Sequence, residues 1–142
     1  MVDTIALADA VAAVINSGTF SVSVTARRML LPEFELSDLA QLKVTVMPKS
    51  VEMAPFSRKA MVYEVEIDIG IQKKLAGEID TELPGLLRLV EEINVFLRKR
   101  TLADAVWIKS NIDPLYARDH LSQSRVFTSV LTITYKLVSE ES

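Results

Sequence analysis

The hydrophobic pattern is strictest from Met61 to Lys74, MVYEVEIDIGIQKK. Tyr63, Val65, Ile67, Ile69 and Ile71 alternate with Glu64, Glu66, Asp68, Gly70 and Gln72. Successive side chains of a strand point to opposite faces, so the segment is expected to be a strand with one apolar and one acidic face. A helix would instead space its apolar residues three and four apart. A strand of this length belongs at the centre of a sheet, with neighbours supplied by the rest of the chain.

The N-terminal third supplies a helix and two shorter alternations. Asp3 or Thr4 can cap a first helix by accepting a free backbone N–H. Ile5, Leu7, Ala8, Val11, Ala12, Val14 and Ile15 form its apolar stripe. Asn16-Ser17-Gly18 ends it, with Gly18 able to take the left-handed conformation. Phe20, Val22 and Val24 alternate with Ser21, Ser23 and Thr25, which predicts a strand. Arg27-Arg28 lead into Met29-Leu30-Leu31-Pro32, where proline interrupts any ladder. Phe34 and Leu36 follow, and Ser37-Asp38 marks a turn or short cap. Leu42, Val44 and Val46 alternate with Lys43 and Thr45, a strand expected to stop at Pro48. Lys49 to Lys59 then reads as a mobile loop closing a long antiparallel hairpin, with Met53 and Phe56 as isolated apolar points.

The C-terminal half repeats the scheme. A second helix is expected from about Thr81 to Arg100, with Ile79, Leu83, Leu86, Val90, Ile93 and Leu97 along one face. Pro84 is tolerable in a first turn, where N–H groups lack helical partners. Glu82 near one end and Arg98, Lys99 and Arg100 at the other complement the helix dipole. Val106 to Ile108 reads as a short strand, and Asn111 to Gln123 as a loop with a helical turn around Asp113 to Tyr116. The last strand is Arg125 to Val138. Phe127, Leu131, Ile133, Tyr135 and Leu137 share one of its faces, and Thr128, Thr132, Thr134 and Lys136 lie on the other with Val126 and Val130. This order implies a single α+β domain over residues 1–142, a mostly antiparallel sheet with two main helices packed on it.

Composition narrows the function. A net charge of −3 argues against a general nucleic-acid binder. The absence of cysteine excludes a disulfide framework and thiolate metal sites. No apolar run is long enough to span a bilayer. The N-terminus carries Asp3 and Asp9 without a basic region, so it does not read as a signal peptide, and synthesis in a cytoplasm is expected.

Candidate chemistry is sparse. Glu64, Glu66 and Asp68 share a face at spacings of about 7 Å. Three carboxylates can hold Mg²⁺ or Ca²⁺, and paired carboxylates can serve acid–base chemistry. A solvated or interface face explains them at lower cost. His120 is the sole histidine, with Asp119, Ser122 and Ser124 near it in sequence, which is not triad geometry. Gly18, Gly70, Gly77 and Gly85 form no phosphate-cradling motif. Trp107 and Tyr116 read as packing anchors. Arg27, Arg28, Arg58, Lys59 and the Arg98–Arg100 trio are the only basis for a nucleic-acid reading, which the acidic balance opposes. No enzyme activity, metal or cofactor is expected. Val126 and Val130 on the threonine face point instead to an oligomer interface.

The segments YEVEIDIGIQ, ELPGLLRLVEEINVFL and RVFTSVLTITYKL, with LAQLKVTVMPKS ahead of them, resemble the tail-terminator or tail-completion proteins of long-tailed bacteriophages, over roughly Leu39 to Val138. The resemblance implies a non-catalytic virion structural subunit. It implies a hexameric ring at the head–tail junction that caps the tail tube and docks to the head connector or neck protein. DNA would pass through it without specific binding, and no membrane is involved. The alternatives are another neck or minor tail adaptor, or a small carboxylate-based metal-binding domain or enzyme. In a ring, Glu64, Glu66 and Asp68 are expected to face the channel or an inter-ring surface. Met53, Phe56, Arg58 and Lys59 are expected to contact a neighbouring subunit or ring.

Overall fold

A computed structural model describes residues 2–102 and 104–140. Along the chain run α1 (Thr4–Asn16), β1 (Ala26–Arg28), a 3₁₀ turn (Asp38–Ala40), β2 (Lys43–Pro55) and β3 (Ala60–Lys74). Then come α2 (Ile79–Arg98), β4 (Val106–Ile112), α3 (Arg118–Ser124) and β5 (Val126–Glu140). The strands form one sheet in the order β1-β2-β3-β5-β4, and only the β1–β2 pair is parallel. The fold is α+β, and β3 is its central strand.

The alternation in β3 sets the two faces. Tyr63, Val65, Ile67, Ile69 and Ile71 are all buried, and they share a core with Val44 and Val46 of β2 and with Phe127, Leu131, Ile133 and Tyr135 of β5. Leu7, Ala8, Val11, Ala12 and Ile15 of α1 and Leu86, Leu89, Val90, Ile93 and Leu97 of α2 close that core from above. Both long helices therefore cover one face of the sheet. Leu86→Ala should destabilise the protein by about 2–5 kcal/mol and Val90→Ala by about 1–3, from lost burial plus a residual cavity. Exposed Glu91→Ala should cost about 0.5 kcal/mol or less. Urea denaturation of the three variants checks this, and equal losses would contradict the placement of α2.

Helix α1 starts as its cap residue dictates: Asp3 Oδ1 accepts the N–H of Ala6 at 3.0 Å. At its other end Gly18 does not use the left-handed conformation open to it. No glycine has a positive φ, and Ser17 caps the helix in a right-handed conformation. Gly18 is needed for space instead, because a Cβ there would lie 2.9 Å from the rings of Phe20 and Phe96. Asn16 then ties helix to sheet. Its Nδ2 donates to Ala26 O at 2.9 Å, and its Oδ1 accepts from Ala26 N–H at 2.7 Å.

Four further expectations are corrected. The predicted strand from Phe20 to Thr25 does not form; the strand is Ala26–Arg28. Ser21 donates its N–H and hydroxyl to Glu92 of α2 at 3.1 and 2.7 Å, and this bends the segment away from any strand partner. Strand β2 does not stop at Pro48. Partner β1 ends opposite Val46, so from Met47 onward that side of β2 needs no ladder donor, and a bulge between Pro48 and Ser50 absorbs the proline. The expected loop from Lys49 to Lys59 is therefore mostly strand, paired to Pro55↔Met61. The turn itself is tight, with the N–H groups of Phe56 and Ser57 both donating to Ala60 O. The helical turn expected around Asp113 to Tyr116 forms later, as α3.

One core group is out of character. Tyr135 is fully buried and its hydroxyl has no hydrogen-bond partner among the described residues. Burial pushes its phenol well above the usual tyrosine range. Tyr135→Phe should leave stability unchanged or raise it by about 1 kcal/mol, since it removes an unpaired polar atom. The folded state retains the proton where the unfolded chain loses it. This contribution to stability is therefore intact below about pH 10 and lost as pH rises beyond it. Tyr135→Phe should flatten that alkaline loss in denaturation curves measured between neutral and high pH.

Candidate functional site: the face opposite the long helices and the ribbon tip

Strand pairing fixes what shares the face opposite α1 and α2. Across the sheet run the rows Glu52–Glu64–Lys136–Val106, Ser50–Glu66–Thr134–Lys109 and Met47–Asp68–Thr132–Asn111. Thr45–Gly70–Val130 and Lys43–Gln72–Thr128 follow. The three predicted carboxylates are thus brought onto one face, away from the long helices. Each has different partners. Asp68 Oδ1 accepts from Thr132 Oγ1 at 2.6 Å, and Glu66 Oε1 accepts from Ser50 Oγ at 2.6 Å. Glu64 is exposed between Glu52 and Lys136. No group of three acidic or histidine side chains among the described residues can hold a metal ion. Gly70 interrupts the acidic series because Thr45 lies across it: a Cβ would stand 3.0 Å from Thr45 Oγ1.

The sequence reading put Lys43 and Lys136 on the polar sides of their own strands but did not join them, or Lys109, to the acidic face. Lys136 and Lys109 reach the acidic rows from β5 and β4, and Lys43 sits at one end on β2. Read along β3 alone, the middle of the face is acidic, at Glu64, Glu66 and Asp68, with Lys74 at its end. Only the cross-strand register reveals the mixed charge in that middle.

Burial fades along β2 toward the turn. The ribbon of β2 and β3 ends in Phe56, Ser57, Arg58 and Lys59, all exposed. Met53 is 60% exposed although it pairs with buried Tyr63, and Phe56 is 62% exposed. Met53, Phe56, Arg58 and Lys59 are therefore gathered at one tip. Because Ser50 to Pro55 are paired strand, deleting Ser50–Ser57 would strip β3 of a neighbour, so point substitutions at the tip are the cleaner probe.

The remaining candidates are dispersed. His120 Nδ1 lies 2.9 Å from Thr128 Oγ1, and Ser122 Oγ donates to the carbonyl of Asp119, so no serine–histidine pair is assembled among the described residues. Trp107 Nε1 donates to Ser110 Oγ at 2.8 Å while its ring packs on the core. Arg28 pairs with Asp9 at 3.0 Å, which commits one of the basic residues to holding β1 on α1. Arg100 stacks over Phe96, 4.1 Å from the ring centroid. No helix among the described residues is long and apolar enough to cross a membrane. No protein-family model matches the chain, and no curated protein matches it.

Proposed function

We propose that this chain is a virion structural protein of the phage head–tail junction, which closes into a ring, of six copies in keeping with the resemblance, capping the tail tube and joining it to the head connector. The observation that carries the reading is the ribbon tip. Met53 and Phe56 are presented to solvent on a paired β-ribbon, at an ordering cost already met by folding, and no packing within the subunit requires them. Exposed apolar anchors on a rigid element fit a contact with another subunit or ring. The three-segment resemblance supplies the place in the particle.

The face opposite α1 and α2 fits the channel or inter-ring role. Like charge on a channel wall keeps DNA phosphates from binding, whereas a basic wall would gain affinity by releasing counterions. The lysines temper this. Glu52, Glu64, Glu66 and Asp68 share the face with Lys43, Lys109 and Lys136, so the repulsion is weaker than three bare carboxylates per subunit would give. Such a field reaches only about 8 Å at physiological salt.

Native mass spectrometry of the purified chain, alone and with the tail-tube protein, tests the proposal. A closed multiple of the subunit in either sample is the expected result. A monomer in both, at all concentrations, would overturn it.

A further inference from the structure

A second apolar feature lies far in sequence from the ribbon tip. The segment Leu30-Leu31-Pro32-Glu33-Phe34-Glu35-Leu36 exposes Leu30 at 59%, Leu31 at 73% and Leu36 at 45%. Glu33 and Glu35 are exposed between them. The segment is held in shape. Met29 N–H donates to Val46 O at 3.0 Å, Glu35 N–H donates to Asp38 Oδ2 at 3.1 Å, and Lys43 lies 5.9 Å over the Phe34 ring. It is an acidic, leucine-bearing strap with its backbone already ordered.

A groove of about 480 Å³ runs along the outer side of α2. Its apolar floor is Phe20, Val95 and Phe96, with the two rings edge to face at 5.4 Å. Arg88, Lys99 and Arg100 stand around it against Glu91 and Glu92. Glu92 is committed to Ser21, whose hydroxyl and N–H hold its carboxyl below the usual range, so it stays an anion occupied within the subunit. The groove thus has apolar lining with three cations against two carboxylates around it, a small positive excess, and Arg100 already lies over the Phe96 ring. The strap is apolar and acidic.

We infer that the Leu30–Leu36 strap of one copy docks in the Phe20–Phe96 groove of a second copy of this chain, its leucines on the rings and Glu33 and Glu35 against Arg88, Lys99 and Arg100. The two surfaces are different patches of one molecule, so the contact is head-to-tail, and a head-to-tail contact closes into a ring when its rotation allows. The inference rests on the ring reading and names the surfaces that build the ring. Ion pairs at such a contact fix partner and register as much as affinity.

Two charge-reversed full chains test it. Glu33→Lys/Glu35→Lys makes the strap basic, and Arg88→Glu/Arg100→Glu makes the groove acidic. Each variant, checked for native circular dichroism, should lose self-association when alone. Mixed in equal amounts they should recover it, because every strap then meets a groove of opposite sign, alternating around an even-numbered ring. Either variant assembling like the parent, or a mixture that stays dispersed while the parent assembles, would overturn the docking and leave the ring reading intact. A labelled peptide spanning Met29 to Ser37 provides a readout independent of ring closure. It should bind the whole parent chain and lose roughly tenfold or more in affinity for the Arg88→Glu/Arg100→Glu chain. No binding to the parent, or equal binding to both, would overturn the inference even where rings form. Binding to a parent that never assembles would support the docking while the ring reading fails.

Discussion

Replacing Ile69 by aspartate should abolish folding, whereas replacing Glu64 by lysine on the opposite face should leave the subunit native. Ile69 is fully buried at the centre of the sheet, paired with Val46 on one side and Leu131 on the other. Aspartate there forfeits about 2–3 kcal/mol of apolar burial and adds a carboxyl with no partner, at several kcal/mol more. A domain of this size has about 5–15 kcal/mol of stability in total, so the sum consumes most of it. Glu64 is exposed, and lysine in its place meets Glu52 across the β2 pair while losing Lys136 on the other side. The expected change is about 0.5 kcal/mol. Circular dichroism and urea denaturation of both variants check the contrast. A native Ile69→Asp protein would mean the core had been assigned to the wrong face.

The second large effect is on assembly. Met53→Ser/Phe56→Ser should leave the melting temperature nearly unchanged and remove self-association. Both side chains are exposed in the subunit, so little folding energy resides in them. Buried against a neighbour, each is worth about 1.5–3 kcal/mol. Losing both weakens a contact by roughly two to four orders of magnitude, since 1.4 kcal/mol is a factor of ten. Sedimentation velocity of parent and variant at matched concentration reads this directly. A variant that assembles normally would remove the ribbon tip from the interface.

What was legible in the sequence depended on how local its cause was. The β3 alternation gave the central strand, its bounds to within a residue and both of its faces, because period two is enforced residue by residue. The stripe of α2 was legible for the same reason, although Leu89 was missed between the chosen positions. The failures have non-local causes. Phe20 to Thr25 alternates like a strand, but Glu92, 71 residues from Ser21, bends it. Pro48 reads as a stop until the short β1 leaves that edge of β2 open. Beyond it Val51 and Met53 still alternate with Ser50 and Glu52, so the signal for a longer β2 was present and the proline masked it. The shared face of Glu64, Glu66 and Asp68 was likewise readable within one strand, while Lys109 and Lys136 join it only through register with β5 and β4.

The central claim is that this subunit is a ring component of the head–tail joint, and its position in an assembled particle tests that most directly. Cryo-electron microscopy of tailed particles carrying the chain should show a closed ring of its copies between head connector and tail tube, with the β2–β3 tips against neighbouring subunits or rings. Particles whose heads and tails join normally with the chain absent from that joint would contradict the account.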